Sequence, residues 1–553
     1  MTGLERRRRQ AAVMGGLVAV ALSLLIVGAA VAGQGQMPSD WPARAVPSAK
    51  APGSLGGDAN CRYGVAALDD SQVDWVGDVL AGWYLNFGSD SVPASNAAEF
   101  VAVITVRQNK TAEGEYLPSY TVAPPLTPTH LGALVASRPG RLWLVGNEVD
   151  RGPNPGETQS VQGDTFPDVY ARAYNEVYHF IKQYDPTALV AVSGLVQVTP
   201  GRLQYLDLFW QAHLDEFGSA PPVDVWNMHV YILPEVNAQG EPNGIANVAL
   251  GTDPALAKSE SYDPDGAGPL THADTCPLES VYCFAEHDNL GVFGQQITAM
   301  RAWMKAHGQR EKPLILSEFS LLLPYQVDGG SCYIQDEFGQ CFTPERVEAF
   351  LNASFDLLEG MIDPGLGYPL DSNRLVQQWL WFSVSHVGKP GDISDLITLS
   401  PPGLSPIGSA FAQYVAARPA SINLVPAGLS TPAVNAPNGT ADVPLEAWVA
   451  NSGNRTPSVD FTVGFYADES LSELIGQEVI DAPSPAEPGM TGCGTRRLKV
   501  GATWTGLTPG LHRYWVKVDS GSAVGEGPYE GDNVAEGFVL VNPDQLLLPA
   551  VVR

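Results

Sequence analysis

Between residues 60 and 418 the chain alternates short apolar runs with longer stretches in which apolar side chains recur every third or fourth position. The short runs are Tyr63–Leu68, Gly82–Phe87, Phe100–Val106, Leu142–Gly146, Leu189–Val196, Val223–Val230, Pro313–Phe319 and Gln378–Val384. Among the longer stretches, Asp168–Tyr184 places Val169, Ala173, Val177 and Ile181 on one stripe, and Phe293–His307 is a second predicted helix. Strand-length runs alternating with helical periods are the signature of a parallel α/β fold. Eight such units over roughly 350 residues predict a (β/α)8 TIM barrel with long inserted loops. A doubly wound sheet is the alternative, but no Gly-x-Gly-x-x-Gly turn follows the first run.

After Pro419 the helical periods stop. Alternating strands such as Leu445–Ala450, Phe461–Tyr466 and Tyr514–Val518 are separated by Gly, Pro, Asn and Ser turns, which predicts a small Ig-like β-sandwich over 419–543, followed by an apolar tail over 544–553. At the other end, Glu5 and four arginines, Arg6 to Arg9, precede an apolar run from Ala11 to Ala32. A basic start and such a run make residues 1–32 an export segment. Ala30-Val31-Ala32 suits a cleavage site, while the run also has about the 20 residues that span a bilayer. Cleaved secretion and an uncleaved membrane tether therefore both fit. Either one places the rest of the chain outside the cytoplasm, secreted or anchored to the outer face of the membrane. Residues 33–59, rich in Gly, Pro, Ser and Ala, read as a flexible linker.

Composition narrows the partners. Sixty acidic against 31 basic side chains give a formal charge of −29, which repels phosphate backbones, so no nucleic-acid partner is expected. The six cysteines fit an exported chain. Cys276 lies close to Cys283, and Cys332 to Cys341, so two local disulfides are expected; Cys61 and Cys493 stay open between free and paired. No Cys-x-x-Cys pair is present, and Asp263, Asp265 and Asp274 do not complete a calcium loop. No metal or other cofactor is expected. Nothing in the sequence sets an oligomeric state.

In a barrel of this kind the working residues sit at the C-terminal ends of the strands. The fourth run reads Arg141-Leu142-Trp143-Leu144-Val145-Gly146-Asn147-Glu148, and the seventh Lys312-Pro313-Leu314-Ile315-Leu316-Ser317-Glu318-Phe319. Each brings a glutamate to its C-terminal end, and strands four and seven face each other across a barrel mouth. Paired carboxyls about 5–5.5 Å apart are what a retaining glycosidase needs: one attacks the anomeric carbon, the other protonates the leaving oxygen and then activates water.

Asn-Glu at the end of strand four and Glu at the end of strand seven resemble the motif of clan A glycoside hydrolases. The resemblance implies Glu148 as acid/base, Glu318 as nucleophile and Asn147 as a partner of the sugar 2-hydroxyl. It extends to His229-Val230-Tyr231 in the sixth run, where the clan's tyrosine orients the nucleophile, and to Trp379-Leu380-Trp381 in the eighth, where the clan places a tryptophan under the sugar. Together with Gly82-Trp83-Tyr84-Leu85-Asn86-Phe87, these segments look most similar to the catalytic domains of family 128 endo-β-1,3-glucanases, with Val149 standing where that family carries proline. The sandwich segments Leu445–Gly453, His512–Asp519 and Glu530–Asn533 resemble adhesion-related domains of the CARDB type.

A carbohydrate substrate follows from this reading. Trp83 and Tyr84 are candidate platforms for a sugar face, and Asn86 a candidate partner for a hydroxyl. Asp150 and Arg151 are expected to pair locally, and the long segment Tyr231–Leu290, with its Cys276–Cys283 bridge, and the Cys332–Cys341 segment to wall the cleft. The competing reading is a non-catalytic surface or adhesion protein whose barrel only binds glycan.

Overall fold

In the computed structural model residues 59–543 are described, apart from 161, 238, 261–280, 283–285, 323–325, 328–330, 333–339, 387–392, 438 and 485–487. The expected export segment, linker and tail, and Cys276 and Cys283, lie outside the described residues.

All eight apolar runs contain a strand: β1 (Asn60–Ala66), β2 (Ala81–Leu85), β3 (Ala102–Lys110), β4 (Leu142–Val145), β5 (Leu189–Val192), β6 (Trp226–His229), β7 (Leu314–Phe319) and β8 (Gln378–Trp381). One sheet runs β2-β1-β8-β7-β6, with the short strand Glu99–Phe100 beside β2; the other runs β3-β4-β5, with Tyr116–Ala123 antiparallel on the outside of β3. Within both, neighbours among β1–β8 are parallel. Backbone bonds also cross the two seams. Val101 N–H donates to Tyr84 O at 2.9 Å and Val103 N–H to Gly88 O at 2.8 Å, joining β2 to β3. A parallel bridge Ala191↔Val225 joins β5 to the chain entering β6. These backbone contacts bridge the two sheets in a mixed α/β domain.

Side-chain alternation sorts the two faces of β1. Tyr63 packs outward against Phe355, Phe411 and Tyr414 of the helix layer. The next residue, Gly64, faces inward, where a Cβ would come within 2.4 Å of the Trp83 ring. Five longer helices cover the strands: α1 (Pro167–Tyr184), α2 (Pro200–Phe217), α3 (Leu290–Ala306), α4 (Pro344–Gly360) and α5 (Pro406–Ala416). The predicted stripe Val169, Ala173, Val177 and Ile181 is the buried face of α1. Proline opens α1, α2, α4 and α5, where its missing N–H costs no helix bond.

Past α5 the chain forms two antiparallel-dominated sheets, Leu424–Leu429 with Ala441–Asn451 and Arg497–Leu507, and a five-stranded sheet built around Gly510–Lys517 and Val534–Val541. Val443, Leu445, Ala447 and Val449 alternate into a core shared with Phe461, Val463, Phe465, Tyr514 and Val516. Cys61 at the start of β1 is disulfide-bonded to Cys493 of this second region, with Cα atoms 6.1 Å apart. Tyr368 donates to Gly494 O at 3.0 Å, and Arg497 to Glu311 O at 2.7 Å. Cys61 and Glu311 lie at or just before the N-terminal ends of β1 and β7, so this junction is made at the end of the domain opposite Glu148. The pairing resolves what the sequence left open for Cys61 and Cys493. Cys341 is disulfide-bonded as well; the side chain of Cys332 lies outside the described residues.

Candidate active site

Glu148 reaches its place through a tight turn. β4 ends at Val145, Gly146 takes φ +90°, and Glu148 itself has φ +45°. A Cβ on Gly146 would approach Val149 Cγ1 to 2.6 Å, so glycine is required there on two counts. Left-handed backbone at a glutamate costs energy that the surroundings must supply; here Glu148 N–H donates to Gly194 O, beyond the end of β5, at 2.9 Å. Gly194 in turn leaves room for a ring, since a Cβ there would lie 2.3 Å from His229 Nε2. Glu318 needs no such turn and sits within β7.

The sequence-predicted Glu148, His229, Tyr231 and Glu318 come together. His229 Nδ1 lies 3.3 Å from Glu148 Oε1 and 3.9 Å from Glu318 Oε2, and its Nε2 is 3.1 Å from Ser317 Oγ. Tyr231 donates its hydroxyl to Glu318 Oε1 at 2.8 Å. The imidazole and the two carboxylates present ligating atoms all within 4.8 Å of one another. Glu148 is 4% exposed and Glu318 7%. Ser317 was named in the sequence only as part of a motif; its adjacency to Glu318 was the available signal.

Burial, reinforced by the negative charge of Glu148, pushes the Glu318 carboxyl up to about 7, against the opposing pull of His229 and of the Tyr231 hydroxyl. Two like charges this close in a buried site cannot both ionise freely, so one proton belongs to the pair. Tyr231, donating to Glu318, favours the anion there and so works against burial. For His229, burial opposes charge, but Glu318 and Glu148 outweigh it and raise its pKa. Asp150, fully buried, is pushed up to about 6 by desolvation despite Arg202.

Asn147, next to Glu148 in the chain, turns its side chain elsewhere, donating to Gln162 Oε1 at 3.1 Å and lining a recess of about 70 Å³ with Phe87, Arg107 and Gln162. The remaining expectations need correction. Trp379 and Trp381 are fully buried and point into the helix layer: Trp379 packs on Tyr63 and Phe355, Trp381 on Phe319 and Phe350. Neither presents a face to a sugar. Beyond the ends of β2 and β8, Phe87 and Phe382 bring their rings within 6.0 Å of each other. Trp83 is 1% exposed and fills the interior over Gly64. Asn86 closes its own loop, donating to Asp90 O and accepting from Gly88 N–H, both at 2.9 Å. Tyr84 is likewise buried, its hydroxyl donating to Val92 O. Asp150 and Arg151 do not pair: Asp150 lies 2.9 Å from Arg202 Nε, while Arg151 donates to Ile245 O and Asn154.

Glu148, His229 and Glu318 form the only group of this kind among the described residues that could hold a metal ion. One nitrogen and two oxygens suit a divalent transition metal, but 3.3 Å between His229 and Glu148 is equally the geometry of a shared proton.

No protein-family model and no curated protein matches the sequence. Solved structures align weakly. A GH128 (subgroup III) curdlan-specific exo-β-1,3-glucanase from Blastomyces gilchristii is 13% identical, covering 64% of this chain and 99% of its own, with a TM-score of 0.35. A glucosidase from Croceicoccus marinus is 12% identical over 82% of this chain and 96% of its own, at 0.34. A CARDB domain from Pyrococcus furiosus, crystallised with di-metal ions, is 20% identical over 22% of this chain and 96% of its own, at 0.17. Likenesses at this level carry no weight for what the chain does.

Proposed function

We propose that the chain is a retaining glycoside hydrolase, with residues 60–418 a (β/α)8 barrel and residues 419–543 a CARDB-like sandwich. The observation that carries this reading is the carboxylate pair at the C-terminal ends of β4 and β7, with oxygens within 4.8 Å. That spacing is near the ~5–5.5 Å of retaining enzymes and short of the ~6.5–9.5 Å that admits a water in inverting ones.

In the first step Glu318 attacks the anomeric carbon as the leaving-group oxygen takes the proton held by Glu148. The products are a glycosyl ester on Glu318 and a free alcohol. In the second step Glu148 takes a proton from water, whose oxygen displaces Glu318 and restores both carboxyls. Tyr231, held on Glu318 Oε1, leaves Oε2 as the attacking atom. His229 stands beside both carboxyls and steadies the charge that moves between them. The substrate is an extracellular poly- or oligosaccharide; the resemblance of the strand-end residues to family 128 favours a β-glucan. Export by residues 1–32 would deliver the enzyme to it.

Screening the full chain on β-1,3-, β-1,4- and mixed-linkage glucans, mannan and xylan tests this directly. Turnover lost in both Glu148→Gln and Glu318→Gln is the expected result. No turnover on any glycan, with binding unchanged in the two variants, would leave the chain a glycan-binding surface protein instead.

A further inference from the structure

His287 lies just ahead of α3, within the segment Tyr231–Leu290 expected to wall the cleft, and it is 3% exposed. Its Nδ1 lies 3.2 Å from Ile232 O, and its Nε2 accepts from Leu322 N–H at 2.9 Å. A carbonyl oxygen only accepts and a backbone N–H only donates, so the two contacts together define a single species: neutral imidazole with the proton on Nδ1. Burial works in the same direction, holding the imidazole pKa down to about 4 although Ile232 O and Asp288 oppose it. Asp288 itself is engaged by Arg346 of α4 at 2.6 Å.

The two residues that His287 ties together are each next to the site. Ile232 follows Tyr231 and Leu322 lies four residues past Glu318. The imidazole also lies parallel to the Tyr231 ring, with centroids 6.0 Å apart and 5° between planes. On the backbone side, Gln296 of α3 donates to Tyr231 O at 2.7 Å. Tyr231 is thus held by a ring beside it and an amide behind it, with its hydroxyl left to Glu318.

We propose that His287 is a positioning residue of this site: as a neutral latch between the segments following β6 and β7, it fixes the Tyr231 ring so that its hydroxyl stays on Glu318. It touches neither carboxyl and acts only through Tyr231. The inference rests on the glycosidase reading for its kinetic consequence, and on geometry alone for the state of the imidazole.

A double-mutant cycle in the full chain tests the kinetic part. His287→Ala should lower kcat about 10- to 100-fold, the scale of a small misplacement of a reacting group, with KM within about 2-fold. Tyr231→Phe should do the same, and the double variant should be no slower than Tyr231→Phe. A kcat loss in the double variant equal to the product of the single losses would show that His287 acts independently of Tyr231 and would overturn the proposal. Should His287→Ala not fold, ¹⁵N-histidine NMR on the unaltered chain decides: the expected signal is the Nδ1–H tautomer from pH 8 down to about 5. A charged ring or the Nε2–H tautomer at neutral pH overturns the latch. That arm needs no substrate, so its failure leaves the assignment of Glu148 and Glu318 untouched, whereas absence of turnover in the unaltered chain removes that assignment and leaves the NMR result standing.

Discussion

The two ends of the parallel strands treat buried charge in opposite ways. At the N-terminal end, Arg62 binds Asp371 with two parallel bonds of 2.6 and 2.8 Å, and also donates to Gln377 O. Gln377 accepts from Arg301 at 2.6 Å and from Leu314 N–H at 2.8 Å. Each charge there has a partner of opposite sign or a full set of bonds. At the C-terminal end two carboxylates share one histidine, and Glu318 accepts the Tyr231 hydroxyl. The first arrangement stabilises the fold; the second keeps a proton and a negative charge available, which is the state that chemistry requires.

This contrast can be broken most strongly at Glu318. Glu318→Gln should lower kcat at least ~10⁴-fold, as loss of a nucleophile does, without lowering the melting temperature at pH 8. The sign follows from the carboxyl's pKa, raised from 4.5 to about 7. The folded chain holds a proton there that the unfolded chain has lost, so stability at this position is present at low pH and falls as pH rises from about 4.5 through about 7. A neutral amide removes that loss. Unfolding curves of the variant that fall below those of the unaltered chain at pH 8 would contradict it.

At the opposite end, Arg62→Ala removes the bidentate partner of buried Asp371 and should cost about 3–5 kcal/mol in denaturant unfolding, with kcat of the folded variant unchanged. A comparable loss of kcat would show that the two ends are not separate in function. Reducing Cys61–Cys493 should cost about 2–4 kcal/mol and, again, leave kcat unchanged.

Smaller effects sharpen the description of the mouth. The productive form of the carboxyl pair carries one proton, so kcat/KM should fall about tenfold per pH unit above pH 7; a plateau to pH 9 would show that the pair does not hold that proton. Prolonged treatment with a chelator should leave kcat within about 20% of its starting value, because the proposed steps use no metal. Activity lost to the chelator and restored by zinc would turn Glu148, His229 and Glu318 from a proton-sharing group into a metal site.

The eight strands and the α1 stripe were legible because burial repeats with a local period. The Glu148–Glu318 pairing was legible because position at a strand end is itself a local property. What failed was direction across a strand buried on both faces. Period two correctly put Trp379 and Trp381 on one side, but with Gln378–Trp381 buried throughout, nothing in the run says which side meets the helices. Their partners Phe350 and Phe355 lie on α4, beyond local reach. Likewise Asp150 and Arg151 are neighbours whose side chains diverge, Asp150 finding Arg202 on α2. His287 and the Cys61–Cys493 pair, 432 residues apart, depend on how distant loops and regions meet, which no local pattern carries.

The central claim is tested most directly by the anomeric configuration of the first product formed, read by proton NMR before mutarotation on whichever glycan the chain cleaves. With Glu318 as nucleophile the configuration is retained. Inverted product would contradict the account, since it would require a water between the carboxyls where the structure has oxygens within 4.8 Å of each other.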